Sequence, residues 1–412
     1  MKKINNSENQ LRSNLLWNLC GTAVNALTSL FYMIVVTRLN GLETAGVFSF
    51  AFSNACVLVV IGLYMGRTYQ IGDIIHSNKV FIRSRQITCV LMLFAAIVMG
   101  WIGQYSDEKM IVFLLWIVFK MLEAYADVLY GIMQKKDHLD YVGKSLVLKA
   151  SLSMIVFVIL DYWFKNIIIA SSGVVITAFM VLVSYDFRHY DKAEVKSEGF
   201  AWGDCFFILK DGFFVFAITL LTTYLINASK YAINSWGSDS EQAVYGILIM
   251  PATAMILVGQ NIIQPFLLKV RLLYSEKKVV LLRKTIITMC LVVGTIGIVG
   301  IACAGTIGIP VLEIIYGVAL SKYRLELMIV MLGATCYGCV IILTNILTLM
   351  HKNKMQLICF MLISVAVTIA SGIMLRGDEV VLMATGLYCI SMIISAFSLG
   401  VITHFMVKKV CE

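Results

Sequence analysis

The sequence predicts an all-α integral membrane protein with about twelve transmembrane helices, arranged as two six-helix lobes. Three observations carry this. Of the 412 residues 60% are apolar and only 14% are charged, and the mean hydropathy is +0.89, far from the balance of a soluble domain. Apolar stretches near twenty residues recur along the whole chain, the length an α-helix needs to cross roughly 30 Å of hydrocarbon. Lys and Arg concentrate in alternate connections between those stretches, as expected when cytoplasmic loops retain positive charge.

The spans fall near residues 15–37, 45–66, 87–104, 110–131, 146–163, 166–185, 206–227, 243–267, 286–309, 326–350, 356–375 and 380–406. The first 13 residues are polar and basic, and the helix behind them is too long for a signal peptide, so it reads as an uncleaved first span. With the N-terminus inside, 25 of the 33 Lys and Arg lie in inner segments, Lys149 and Lys210 at the span borders counted with them. Arg38, Lys109, Lys165, Lys230, Lys322, Arg324 and Arg376 lie outside, and Lys120 lies within a span. An odd number of spans breaks this alternation, so both termini are expected in the cytoplasm of a multi-pass protein. The net charge of +9 is then a matter of topology and contact with anionic membrane lipids, not of nucleic-acid binding.

The halves look related. Residues 41–50 close the first hairpin much as 238–247 close the seventh, and both follow a helix ending outside, which makes the repeat parallel. The expected organisation is an N-terminal lobe (1–190), a cytoplasmic linker (191–205) and a C-terminal lobe (206–412), with the charged segment around the linker as hinge.

Polar residues form stripes within several spans. In span one, Asn14, Asn18, Gly21, Asn25, Thr28 and Tyr32 share a helical face, and in span seven Thr219, Thr223, Asn227, Lys230 and Asn234 do the same. Such residues also bond neighbouring helices, at about 0.6 kcal/mol each, but two stripes at equivalent positions favour a shared polar cavity. Span four is sharper: Lys120, Glu123, Asp127, Tyr130 and Gln134 share one face. A charge near the bilayer centre costs roughly 2.5–3.5 kcal/mol on insertion scales, so these side chains must turn away from lipid. Either they neutralise one another in packing, or they line a lumen where Lys120 meets an anion and Glu123 and Asp127 gate or couple. Span nine carries Gly297, Gly300, Ala304 and Gly308 at the spacing of close helix contacts. Pro251 and Pro265 are candidate kinks in span eight.

Catalytic and cofactor signatures are missing. Gly143-Lys144-Ser145 mimics the end of a phosphate-binding loop, but His138 stands where that loop needs Gly and no strand precedes it. The histidines form no metal pair, no nucleophile elbow exists, and Cys336-x-x-Cys339 lies inside a predicted span without partner ligands. The outer loops are too short for the sugar chemistry of a membrane polymerase or glycosyltransferase. The expectation is a transporter, not an enzyme, with no cofactor and no metal.

The chain resembles the polysaccharide repeat-unit flippases (Wzx-type) of the multidrug/oligosaccharidyl-lipid/polysaccharide exporter (MOP) superfamily. The likeness is carried by Gly66-Arg67-Thr68-Tyr69-Gln70-Ile71-Gly72-Asp73 continuing to Arg85-Gln86-Ile87-Thr88, and by Glu123-Ala124-Tyr125-Ala126-Asp127-Val128-Leu129-Tyr130-Gly131-Ile132-Met133-Gln134 with Asp140 and Lys144-Ser145. Asn227-Ala228-Ser229-Lys230-Tyr231-Ala232-Ile233 and Tyr185-Asp186 complete it. Where the family often has Pro-Arg before the tyrosine, this chain has Ser229-Lys230, which keeps the charge but loses bidentate phosphate recognition. The resemblance implies a V-shaped transporter like the multidrug/toxin extruders (MATE), with a central cationic cavity. Its implied substrate is an undecaprenyl-pyrophosphate-linked oligosaccharide, carried across a bacterial cytoplasmic membrane for capsule, O-antigen or exopolysaccharide. A polysaccharide polymerase and assembly proteins are the implied partners. Candidate substrate residues are Arg67, Lys120, Lys230, Asn14, Asn18, Asn25, Asn227 and Tyr231, with Glu123 and Asp127 for coupling. The alternative is an ion-coupled drug or metabolite exporter of the same superfamily.

Overall fold

A computed structural model describes residues 2–73, 75–190, 195, 199–374 and 379–408. Among the described residues the regular structure is helical throughout. The elements are α1 (Lys2–Leu63), α2 (Gly66–Gly72), α3 (Asn78–Ile102), α4 (Asp107–Lys135), α5 (Leu139–Phe164) and α6 (Ile167–Val181). They are followed by α7 (Trp202–Asp211), α8 (Phe213–Trp236), α9 (Asp239–Ser275), α10 (Val279–Cys303), α11 (Ile309–Tyr316), α12 (Arg324–Leu349), α13 (Asn353–Met374) and α14 (Val380–Lys408). The chain divides into two compact units, Met1–Phe216 and Ala217–Glu412.

Ten stretches of the described residues are long and apolar enough to cross a membrane. The first of them, Leu16–Leu63, is 48 residues long and breaks at Gly41, whose φ of 85° only glycine adopts freely, so it supplies two spans. Helix α4 is the further one, at 29 residues; its ionic stripe keeps it off a purely apolar count.

In unit 1, α1 packs along α5 and α4. The crossing with α5 is a glycine contact: a Cβ on Gly21 would lie 2.5 Å from the Gly143 carbonyl oxygen, and one on Gly143 would lie 2.2 Å from the Trp17 carbonyl carbon. Helices in lipid gain little from apolar burial, so small residues that let backbones touch are what join them. About three turns further along α1 the core is aromatic. Tyr32 sits 4.8 Å from Phe157 and 5.3 Å from Trp116 between ring centroids, and Phe48 is also 5.3 Å from Trp116. Trp116 is buried, while Trp101, Trp163, Trp202 and Trp236 at helix ends, and Trp17 at the start of the first apolar stretch, are exposed, the distribution of an interfacial aromatic belt.

Unit 2 is built on α12 against α14, α9 and α10. The glycines of α10 do what their spacing predicts: a Cβ on Gly297 would meet Thr335, and one on Gly300 would meet Met331, both on α12. Helix α9 runs as one helix through Pro251 and Pro265, so neither proline ends it.

Three boundaries differ from the sequence reading. Residues 206–211 belong to α7, a separate helix, and the seventh span begins at Phe213. The reason is an anchorage: Cys205 and Ile208 are buried in the core with Val80, Tyr64 donates to the Leu209 carbonyl at 2.8 Å, and Gly212 passes against Met65. Helix α8 therefore extends to Trp236, and Lys230, placed above in an outer loop, lies within it. Lys149, counted with an inner loop, lies inside α5 and is 3% exposed.

Candidate functional site

Helix α4 presents its ionic stripe to α2, α3 and α5 within unit 1. Lys120 Nζ donates to Glu123 Oε2 at 2.7 Å. Across the helix pair, Lys149 Nζ of α5 stands 3.9 Å from Glu123 Oε1. Glu123 thus lies between two ammonium groups, one on its own helix and one opposite.

Asp127, one turn on, belongs to a different set. Arg67 Nε meets its Oδ1 at 3.1 Å and Arg85 Nη2 meets its Oδ2 at 3.4 Å. Tight turns put Arg67 there: Tyr64 (φ 51°) and Gly66 (φ 67°) reverse the chain after α1, and α2 then lies on α4. Gln70 of α2 donates to the Val128 carbonyl at 3.0 Å, its amide resting where Gly131 has no side chain. Arg85 is the buried member, its Nη1 donating to the Gly62 carbonyl at 2.8 Å. Arg67 is the open one, its side chain 28% exposed. Asp127 engages only its Nε, which leaves the Nη groups with donors to spare.

Tyr130 joins the two sets. The Arg67 guanidinium lies 5.6 Å and the Lys149 ammonium 5.7 Å from its ring centroid, within cation–π range. Its hydroxyl is 2.8 Å from Ser145 Oγ, and Ser145 Oγ donates to Asp186 Oδ1 at 2.5 Å. Because the Ser145 proton goes to the carboxylate, Tyr130 is the donor in the first of these bonds. Asp186 closes a π-helical turn, Leu182–Asp186, that follows α6; wide turns of this kind recur at functional sites.

Glu123 and Asp127 therefore do not form a pair with each other. Each carboxylate has its own two cations. Arg85, Lys149, Ser145 and Asp186 complete the constellation and were not among the sequence-derived site residues. Lys149 stands inside an apolar run of α5, but its partner Glu123 is on another helix, so the sequence does not show the pairing.

The stripe of α1 is largely a packing face. Asn14 Nδ2 donates to the Asp137 carbonyl at 2.7 Å and its Oδ1 accepts from the Asp140 N–H at 3.0 Å, so its amide is spent on the turn between α4 and α5. Gly21 is the α5 crossing, Thr28 bonds the Asn25 carbonyl, and Tyr32 is enclosed by aromatics. Asn18 and Asn25 are half-buried on the same helix. In unit 2, Asn227 Nδ2 bonds the Thr223 carbonyl at 3.0 Å, and Tyr231 stacks on Tyr224 with centroids 5.8 Å apart. Lys230 is buried beside them at 8% exposure. Gly143-Lys144-Ser145 is helical, with Lys144 paired to Asp140 at 2.7 Å, so it cradles no phosphate. Among the described residues no cluster of metal-ligating side chains exists.

No protein-family model matches the chain. The capsular polysaccharide biosynthesis protein CapF of Staphylococcus aureus is 22% identical over 317 residues, covering 75% of this chain and 78% of that protein. Among solved structures, an inward-facing multidrug resistance MATE family transporter of the MOP superfamily matches with a TM-score of 0.71 at 11% identity, covering 95% of this chain and 98% of its own. The outward-facing conformation of such a transporter matches at 0.64 and 12% identity, over 97% and 96%. The Vibrio cholerae MATE transporter VcmN in its bent form matches at 0.61 and 12%, over 100% and 99%. This chain is a multi-pass membrane protein with the fold of the MOP-superfamily transporters.

Proposed function

We propose that the protein flips undecaprenyl-pyrophosphate-linked oligosaccharide repeat units from the inner to the outer leaflet of the bacterial cytoplasmic membrane by alternating access. The product supplies assembly of a surface polysaccharide such as capsule, O-antigen or exopolysaccharide. One observation carries the reading. Arg67, Arg85, Lys120 and Lys149 converge in unit 1 on Glu123, Asp127 and, through Lys149 and Tyr130, Asp186, leaving an excess of positive charge in and beside a membrane-spanning helix. Charges at that depth are expensive to insert, and their retention favours a ligand role. A pyrophosphate is the complementary anion, and Arg67 offers planar, paired donors for it. The name of the S. aureus relative points to polysaccharide assembly, as does the sequence resemblance around α4. The loop charges favour both termini in the cytoplasm, and a polymerase would take the product.

The solved structures of like fold are named as multidrug transporters, which favours drug or metabolite export as the second reading. Reconstitution separates the two. Proteoliposomes containing the protein should move a defined polyprenyl-pyrophosphate oligosaccharide between leaflets, and an Arg67→Ala protein should not. Movement of cationic drugs without movement of the lipid-linked sugar overturns the proposal. In cells, a deletion strain should accumulate unpolymerised lipid-linked repeat units on the inner leaflet.

A further inference from the structure

A second charged feature lies wholly within unit 2. Helices α10, α12 and α14 line an open groove of about 880 Å³, in the range of small-molecule and cofactor sites. Its lining divides by depth. Arg283, His404 and Lys408 stand at one end, and Ile287, Leu343 and Gly400 belong to the apolar remainder. Arg283 is in the second turn of α10 and Lys408 is the last residue of α14, so the cations gather at a single membrane face. The apolar lining reaches Leu291, two helical turns and about 12 Å deeper than Arg283.

The cations are unspent. Among the described residues neither Arg283 nor Lys408 has an ion-pair partner. Between them and the apolar part lies Thr403, which also lines the groove. It is 3% exposed, and its hydroxyl has no hydrogen-bond partner. A buried hydroxyl left unpaired is costly and marks a place for a polar atom from elsewhere.

We propose that this groove is a binding site for one anionic phospholipid of the inner leaflet. Its phosphate sits between Arg283 and Lys408, a headgroup or ester oxygen accepts from Thr403, and an acyl chain fills the trough past Gly400. Charge complementarity selects the occupant: a soluble anion leaves the apolar trough unfilled, and a zwitterionic lipid adds an ammonium beside three basic side chains. The site goes beyond the transport reading, because none of these residues belongs to the cationic set of unit 1.

The test uses the full chain purified into phosphatidylcholine nanodiscs and challenged with phosphatidylglycerol, read by native mass spectrometry of retained lipid. One phosphatidylglycerol should be held at least tenfold in preference to phosphatidylcholine. Gly400→Leu grows into the trough from a position where a Cβ meets only Leu343 Cδ1 at 4.0 Å, and should abolish retention. Arg283→Gln with Lys408→Gln removes two cations, each a roughly fivefold factor at an anionic surface, and should weaken retention about 25-fold. Thr403→Val should weaken it without abolishing it. The proposal is overturned by equal retention of the two phospholipids. It is also overturned by full phosphatidylglycerol retention in the double charge variant or in a folded Gly400→Leu protein. Competition by inorganic phosphate alone, or retention of undecaprenyl phosphate in place of phosphatidylglycerol, also overturns it.

Discussion

Asp127 and Glu123 sit one turn apart on α4, yet each is surrounded by its own cations, and this decides what single substitutions do. Arg67 is the exposed donor of its set, so Arg67→Ala should lower flipping at least tenfold, the value of one or two charge-assisted hydrogen bonds at about 1.5–3 kcal/mol. Arg38→Ala, at an exposed helix position, should leave it within twofold; equal tolerance at both positions in expression-matched transport assays removes Arg67 from the site. Glu123 keeps one ammonium in either Lys120→Met or Lys149→Met but none in the double variant. Stripping a buried ion of its partners costs about 3–5 kcal/mol, so the double variant should lose far more thermal stability than the sum of the singles. Adding Glu123→Gln should recover most of that loss. Additive melting shifts across this cycle refute the shared pairing. The sequence exposed Lys120, Glu123 and Asp127 because charges interrupt an apolar run at helical spacing. It hid Arg85 and Lys149, since which helix lies opposite α4 is a matter of tertiary packing.

At the scale of elements, glycines and turns set the spacing of the helices. Gly143→Ala would drive a Cβ to 2.2 Å of the Trp17 backbone, where no rotamer can yield, and should cost about 1–3 kcal/mol as overpacking does. Gly386→Ala in α14 meets nothing within 4 Å and should gain up to about 1 kcal/mol of helix propensity. Thermal melts in detergent that rank the two the other way refute the crossing. The link from α2 to α3 is held by Asp73, which accepts from the N–H groups of Ile75 and His76 at 2.7 and 2.9 Å and from His76 Nδ1 at 2.7 Å. Burial pushes this carboxyl upward, but the bonds from His76 and Ile75 prevail and hold it below the usual carboxylate value. A depressed folded value stabilises above the unfolded pKa and is lost as pH falls through the folded one. The melting temperature should therefore drop on acidification below about pH 4, and Asp73→Asn should flatten that limb while lowering stability at neutral pH. The small-residue ladder of α10 was legible because spacing alone encodes it. The separate helix α7 was not, because its aromatic run continues the hydrophobicity of α8 and only its docking on α3 tells them apart.

For the whole molecule, loop charge makes the strongest claim. A fluorescent protein fused after Glu412 should fold and glow in cells, and a phosphatase inserted after Gly317, in the turn following α11, should be active outside. Inverted signals at both sites overturn the orientation. The helical class and the span count were readable because a bilayer forces every backbone polar group into helical bonds, so hydropathy reports architecture directly. The polar stripe of span one misled, since Asn14 and Thr28 satisfy neighbouring backbone as readily as they line a cavity. Within a membrane, periodicity shows that a face avoids lipid, but not whether protein or water lies on the other side.

The wide turn at Leu182–Asp186 carries a consequence for comparing sequences. A turn closed by i→i+5 bonds holds one residue more than an ordinary helical turn, so the chain is one residue longer there than its path requires. The wide turn absorbs that surplus, so Asp186 meets Ser145 from the position an ordinary helix would give it. Removing Val183 should regularise the helix and still deliver the carboxylate to the same place, whereas adding an alanine beside it should rotate Asp186 away. A homologue lacking the wide turn should therefore align with a one-residue gap inside 182–186, and an alignment that spreads the gap elsewhere would mismatch Asp186.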